Sequence, residues 1–212
     1  MTGRVMNKTL VGAAILSALS LQGCPVYRVD GRSTSTPLPK PLTLSETGDF
    51  THKPSRYTFP PTVASFRRVA LTQYDVEGLD IGVGYDGGTK ECPVALTIYV
   101  KPAPPMTFIG ADPAVVQSLE SKWLSSAYQR WKAEIAQAHP GAAPKTEDSM
   151  ITDGYPGRKA VYTIARDESE LFVFLVEHKW TLTYRDTYRA DCAVQATESL
   201  KQFGTDWHGR TG

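Results

Sequence analysis

The residues able to do chemistry in this chain are few, and most are poorly spaced for it. Four histidines, His52, His139, His178 and His208, form neither an HxH nor an HExxH pair. A zinc centre needs ligands that converge on one point, and this spacing supplies no convergence. Asp75 with Glu77 and Glu168 with Glu170 are close carboxylate pairs, the raw material of a glycosidase-type dyad. Both lie beside expected turns, where acids are ordinarily solvated. The chain lacks a GxSxG nucleophile elbow and an SxxK pair of the kinds that activate a serine. Gly82-Val-Gly84-Tyr-Asp-Gly87 spells GxGxxG, yet a dinucleotide site needs a helix N-terminus directly after that motif. The strand-like stretch 94–100 follows instead, so the glycines read as close packing or a bulge. No metal, cofactor or catalytic residue is expected.

One strip is more suggestive. Along an extended strand Tyr184, Asp186 and Tyr188 point one way, and Arg185, Thr187 and Arg189 the other. Such an aromatic and charged surface would suit a carbohydrate, a peptide or an acidic group. The plainer reading is an edge strand whose charges prevent aggregation.

Cys24 carries different information. Arg4 and Lys8 precede the apolar run 10–21, and Gln22-Gly23 leads into the cysteine. A basic start, an apolar core and a small residue before the cleavage point make a secretory signal. The apolar run is too short to cross ~30 Å of hydrocarbon, which takes about 20 residues. Leu21-Gln22-Gly23-Cys24 resembles the lipobox of bacterial lipoproteins, with Gln22 standing where that family carries a small or aliphatic residue. The resemblance implies a signal peptide over 1–23 and a lipidated Cys24 as the first mature residue. Several acyl chains would then hold it on a membrane facing the periplasm, inner or outer, since one chain alone binds marginally. An ordinary cleaved signal with an incidental cysteine is the alternative. With Cys24 taken by lipid, Cys92 and Cys192 remain as a pair in an oxidising compartment. Their disulfide would clamp the start of a central strand to the start of the last helix; a reactive thiol would want a CxxC spacing or a neighbouring histidine.

Composition narrows the partners. The chain has 212 residues, with 23 basic against 22 acidic and 41% hydrophobic. Loss of 1–23 leaves one more acid than base, with no basic cluster, which argues against nucleic acid. Residues 24–56, with Pro37-Leu-Pro-Lys-Pro41, read as a Pro/Ser/Thr-rich tether in extended polyproline form, spanning ~30 Å. Residues 57–212 read as one domain, long enough for a real core.

The elements that must position these residues are legible from periodicity. Strands are expected over 66–74, 79–85 and 94–100, joined closely enough for an antiparallel meander. Asp112-Pro113 opens a long helix, with Val116, Leu119, Trp123, Ala127, Trp131 and Ile135 on one face and His139-Pro140-Gly141 at its end. A polar loop through Glu147 and Asp148, a turn at 154–157, and strands over 159–165, 171–176 and 180–188 follow. A short helix over 191–203 ends at Gly204. The order βββ-α-ββ(β)-α predicts an α+β fold, with a mainly antiparallel sheet of about five to six strands packed by both helices.

Phe59-Pro-Pro61, Val63, Phe66-Arg67, Gly84-Tyr85 and Leu96-Thr-Ile-Tyr-Val100 resemble a group of small, uncharacterised bacterial envelope proteins, over roughly 57–203. Strand order also resembles accessory-protein folds of the PsbP and Mog1 type, a fold-level likeness that licenses no function. Together these features point to a lipid-anchored envelope protein whose non-catalytic domain binds or scaffolds another envelope protein or a cell-wall component. A periplasmic hydrolase with an unfamiliar site is the competing expectation. A small-ligand sensor is the third, and it predicts an apolar pocket between helix and sheet.

Overall fold

A computed structural model describes residues 28–29, 35–104, 106–107, 110, 112–207 and 209; Cys24, the expected signal segment 1–23 and His208 lie outside them. The chain first forms β1 (Arg28–Val29), β2 (Pro37–Thr43), β3 (Phe50–His52), β4 (Tyr57–Phe59) and β5 (Thr62–Val63). Three long strands follow, β6 (Phe66–Asp75), β7 (Ile81–Gly88) and β8 (Pro93–Pro102), then β9 (Met106–Thr107) and the helix α1 (Pro113–Ala138). The second half is β10 (Pro144–Thr152), β11 (Tyr155–Ile164), β12 (Asp167–Val176) and β13 (Trp180–Arg189), a 3-10 turn at Ala190–Cys192, and α2 (Ala193–Asp206).

The fold is α+β around a nine-stranded sheet, in the order β10-β11-β12-β13-β8-β7-β6-β2 with β5 also against β6. Every pairing is antiparallel. Two hairpin meanders, one on each side of α1 in sequence, are thus joined edge to edge through β13 and β8.

The sheet is wider than the expected five to six strands for two reasons. Residues 144–152, where a polar loop through Glu147 and Asp148 is expected, form the edge strand β10, exposed along nearly its whole length. A strand open on both faces needs no apolar alternation, so its sequence carries no period-2 signal. The turn that follows is Asp153-Gly154, both with positive φ (52° and 80°), the backbone of a tight hairpin. Tyr155 and Pro156, expected in the turn, already pair with Thr152 and Ile151.

The tether reading of 24–56 is also corrected where the chain is described. β2 lies along β6, with Thr43 opposite Thr72 and Leu42 opposite Gln73, and β3 pairs with β4. Prolines lack an N–H, and an edge strand with one side unpaired tolerates that. Arg68 fixes the connecting segment by donating to the carbonyls of Glu46 (2.7 Å), Gly48 (2.6 Å) and Phe59.

The helices cover opposite faces. α1 starts as expected, with Asp112 Oδ1 accepting from the Ala114 N–H at 2.8 Å. It packs Leu124, Ala127, Tyr128 and Ile135 against Ala160, Tyr162, Leu171 and Val173 of β11 and β12. The buried stripe is rotated from the expected one, leaving Trp123 and Trp131 half-buried on its flank. α2 runs on through Gly204 and buries Ala196 and Phe203 in the larger core with Tyr85, Leu96 and Leu182. Trp207 completes that core, its indole N–H donating to the Thr58 carbonyl at 2.8 Å.

Candidate functional site

The strip at 184–189 is not an edge. β13 lies between β12 and β8, and Asp186 and Tyr188 are only 3% and 4% exposed. Alternation does divide the strip: Tyr184 and Asp186 line a cleft beneath α2, whereas Arg185 and Thr187 reach Ser169 from the other face. Arg185 also lies 3.3 Å from His139 Nε2 at the C-terminus of α1. Arg189 is exposed and pairs with Asp191. The six residues therefore do not form one surface.

The cleft has a volume of about 670 Å³ and opens between α2 and the strands β10–β13. Its walls are apolar: Phe172, Phe174, Leu182 and Tyr184 from the sheet, Leu200 and Phe203 from α2, and Trp207 beyond it. The Trp207 ring meets Tyr184 edge-on at 6.0 Å and stacks on Phe59 at 5.5 Å, which holds the far wall.

At one end sits a polar knot that joins Glu170, Asp186 and Tyr188, each notable in the sequence, to Lys159, which is not. Lys159, Glu170 and Asp186 come from three adjacent strands and share the cleft-facing side. Glu170 Oε2 is 2.6 Å from Lys159 Nζ, and Glu170 Oε1 accepts from the Tyr188 hydroxyl at 2.8 Å. The Glu170 N–H donates to Asp186 Oδ1 at 3.2 Å. Burial, and then the Glu170 carboxylate beside it, push the Asp186 carboxyl up to about 8. Burial and the same carboxylate raise the Tyr188 phenol, so it donates rather than ionises. At neutral pH the knot holds one ion pair and one protonated acid, with almost no net charge. The hairpin carried the missing signal. Glu177-His-Lys179 is the turn, so residues equidistant from His178 face one another, and Glu170 must meet Asp186.

The cysteines tie down the roof. Cys92 and Cys192 are joined with Cα atoms 5.5 Å apart, linking the entry to β8 with the entry to α2. Of the four acids that the sequence sets in close pairs, Glu170 belongs to the polar knot, whereas Glu77 accepts from Thr36, Asp75 Oδ1 accepts from the Leu79 N–H, and Glu168 meets Lys145. The histidines are scattered. His52 is buried, its Nδ1 2.6 Å from Ser55 Oγ and its Nε2 2.8 Å from the Gly78 carbonyl, and His178 lies against Glu120. The GxGxxG residues lie within β7, where the Phe66 ring packs on Gly87.

No family model matches the chain, and no curated protein matches it. Among solved structures, the solution structure of cyanobacterial PsbP (CyanoP) from Synechocystis sp. PCC 6803 is similar over 92% of this chain and 98% of that chain. Identity is 8% and the TM-score 0.39. At that level the chemistry of the cleft rests on its own residues.

Proposed function

We propose that this chain is a lipid-anchored protein of the bacterial cell envelope, facing the periplasm, whose domain works by binding rather than catalysis. Its ligand is a small amphipathic molecule taken into the cleft under α2. The observation that carries the reading is a concave, aromatic-walled space with a few convergent polar groups at one end, the usual make-up of a small-molecule site. The apolar walls take the body of the ligand, and the near-neutral knot of Lys159, Glu170, Asp186 and Tyr188 takes an uncharged, hydrogen-bonding head. Attachment through a lipidated Cys24, with residues 1–23 cleaved away, would hold the domain where such amphiphiles concentrate.

Binding is favoured over catalysis because Glu170 has both oxygens engaged, one by Lys159 and one by Tyr188. It is therefore a fixed structural carboxylate rather than a free base. One observation favours a hydrolase as the second reading: a protonated Asp186 in a cleft is the kind of perturbed acid that catalysis uses.

Calorimetric titration of the full-length protein with single-chain amphiphiles of varied head group tests the proposal. Gly204 lines the cleft with open space where a side chain would begin, so Gly204→Phe should obstruct it. Saturable binding that the variant loses supports the reading, and absent or unaltered binding overturns it. Turnover of a glycan, peptide or ester panel that Asp186→Asn abolishes would put the hydrolase in its place.

A further inference from the structure

On the opposite face of the sheet α1 covers β11 and β12 and leaves the neighbouring strands beside it open. The result is a groove of about 710 Å³, with Thr181 and Thr183 of β13, Tyr99 of β8 and Tyr74 of β6 along the sheet. One wall is the flank of α1, bearing Trp123 and Trp131, and the other is the proline strand β2. We infer that this groove is a second binding site, and that its ligand is a neutral polyhydroxylated molecule of the carbohydrate class.

The first ground is a set of orphaned polar atoms. Among the described residues, four buried side-chain polar atoms lack a hydrogen-bond partner, and Asp75 Oδ2, Trp123 Nε1 and Thr181 Oγ1 are three of them. All three residues line this groove, and Asp75 and Thr181 are 1% and 5% exposed. Folded proteins rarely leave such atoms unpaired, so their gathering in one cavity points to a ligand that pairs them. The set contains a carboxylate acceptor, an indole donor and a hydroxyl that does both. Sugar hydroxyls both donate and accept, and so match all three.

The second ground is the arrangement of rings. Tyr74 and Tyr99 lie 6.3 Å apart, and Tyr99 and Trp131 4.6 Å apart, while the Arg130 guanidinium sits 4.6 Å over Trp123. Gly82 makes room for the two tyrosines: a Cβ there would come within 3.0 Å of the Tyr74 ring and 3.2 Å of the Tyr99 ring. A row of aromatic faces beside hydrogen-bonding groups suits the two kinds of surface of a pyranose, its C–H face and its hydroxyl rim.

Charge selects a neutral ligand. Asp80 is paired with Lys101 at 3.0 Å, and the remaining wall charges, Asp75, Arg130 and Glu134, are of mixed sign. A proline-rich peptide would stack on the rings, but its tertiary amides have no N–H to give Asp75.

The test is titration of the full-length protein with tetrasaccharides of N-acetylglucosamine, of β-linked glucose and of α-linked glucose, read by tryptophan fluorescence and calorimetry. At least one should bind saturably. Thr181→Val, of nearly the same shape, should bind it about tenfold more weakly, the loss of one hydrogen bond, while unfolding no more easily than the parent. Gly204→Phe, on the far face, should leave this binding intact, which separates the two sites. No saturable response to any glycan overturns the inference, as does Thr181→Val binding with unchanged affinity, or saturation of the groove by a proline-rich peptide instead.

Discussion

Glu170 and Asp186 sit directly opposite one another on β12 and β13, and the Glu170 N–H donates to Asp186 Oδ1 at 3.2 Å. Two acids so placed repel if both ionise. Lys159 and Tyr188 settle the charge on Glu170, and Asp186 keeps its proton.

That arrangement makes stability depend on pH. The folded Asp186 carboxyl titrates at about 8, whereas an unfolded Asp titrates near ~4. Between those values the native state holds a proton that the unfolded state has released, so this residue's contribution is full at acid pH and is lost as pH rises through about 8. The ceiling is ~1.4 kcal/mol per pH unit. Asp186→Asn should flatten this window and unfold at higher denaturant concentration at pH 8, as urea melts across a pH series would record.

The disulfide should matter for both the fold and the cleft. Its ends are 100 residues apart, and closing so long a loop stabilises by ~4.7 kcal/mol in the chain-entropy model, within a usual range of about 2–5. The double variant Cys92→Ser with Cys192→Ser should lose that much in chemical denaturation. It should also bind amphiphiles more weakly, because the start of α2 is freed.

Two glycines should respond in opposite directions. A Cβ on Gly87 would run into the Phe66 ring, so Gly87→Ala should destabilise by about 1–3 kcal/mol through overpacking. Gly204 lies within α2 with open space around it, and Gly204→Ala should stabilise by roughly 0.5–1 kcal/mol. Thermal melts of the two variants decide both.

The segment 44–59 depends on Arg68, whose planar fork reaches three carbonyls. Lysine, a single ammonium on a flexible stem, cannot reproduce that geometry. Arg68→Lys should cost about 1 kcal/mol and expose residues 44–59 to limited proteolysis before the rest of the domain is cut.

What the sequence disclosed depended on how each element meets solvent. Strands buried on one face or both, such as β7, β8 and β12, write their burial into alternation or into apolar runs. The start of α1 is equally plain, because Asp112-Pro113 is capping chemistry. The edge strands β2 and β10 write nothing: Pro37–Pro41 reads as a spacer and the stretch through Glu147 and Asp148 as a loop, and their pairing is imposed by the strands beside them. At the site, the strip 184–189 was visible but its setting was not. Whether Asp186 is solvated or buried depends on what lies on either side of β13, which no local pattern states. Its partner Glu170 was accessible through the symmetry of the hairpin about His178. Lys159 required the register of a further strand.

Anchoring at Cys24 is tested most directly by intact-mass analysis of the protein recovered from the envelope of a bacterium that expresses it. The expected mass is that of a chain beginning at Cys24, heavier by its acyl groups and lighter by the two hydrogens of the Cys92–Cys192 bond. A chain that keeps Met1, carries no lipid and has free thiols at Cys92 and Cys192 would contradict it.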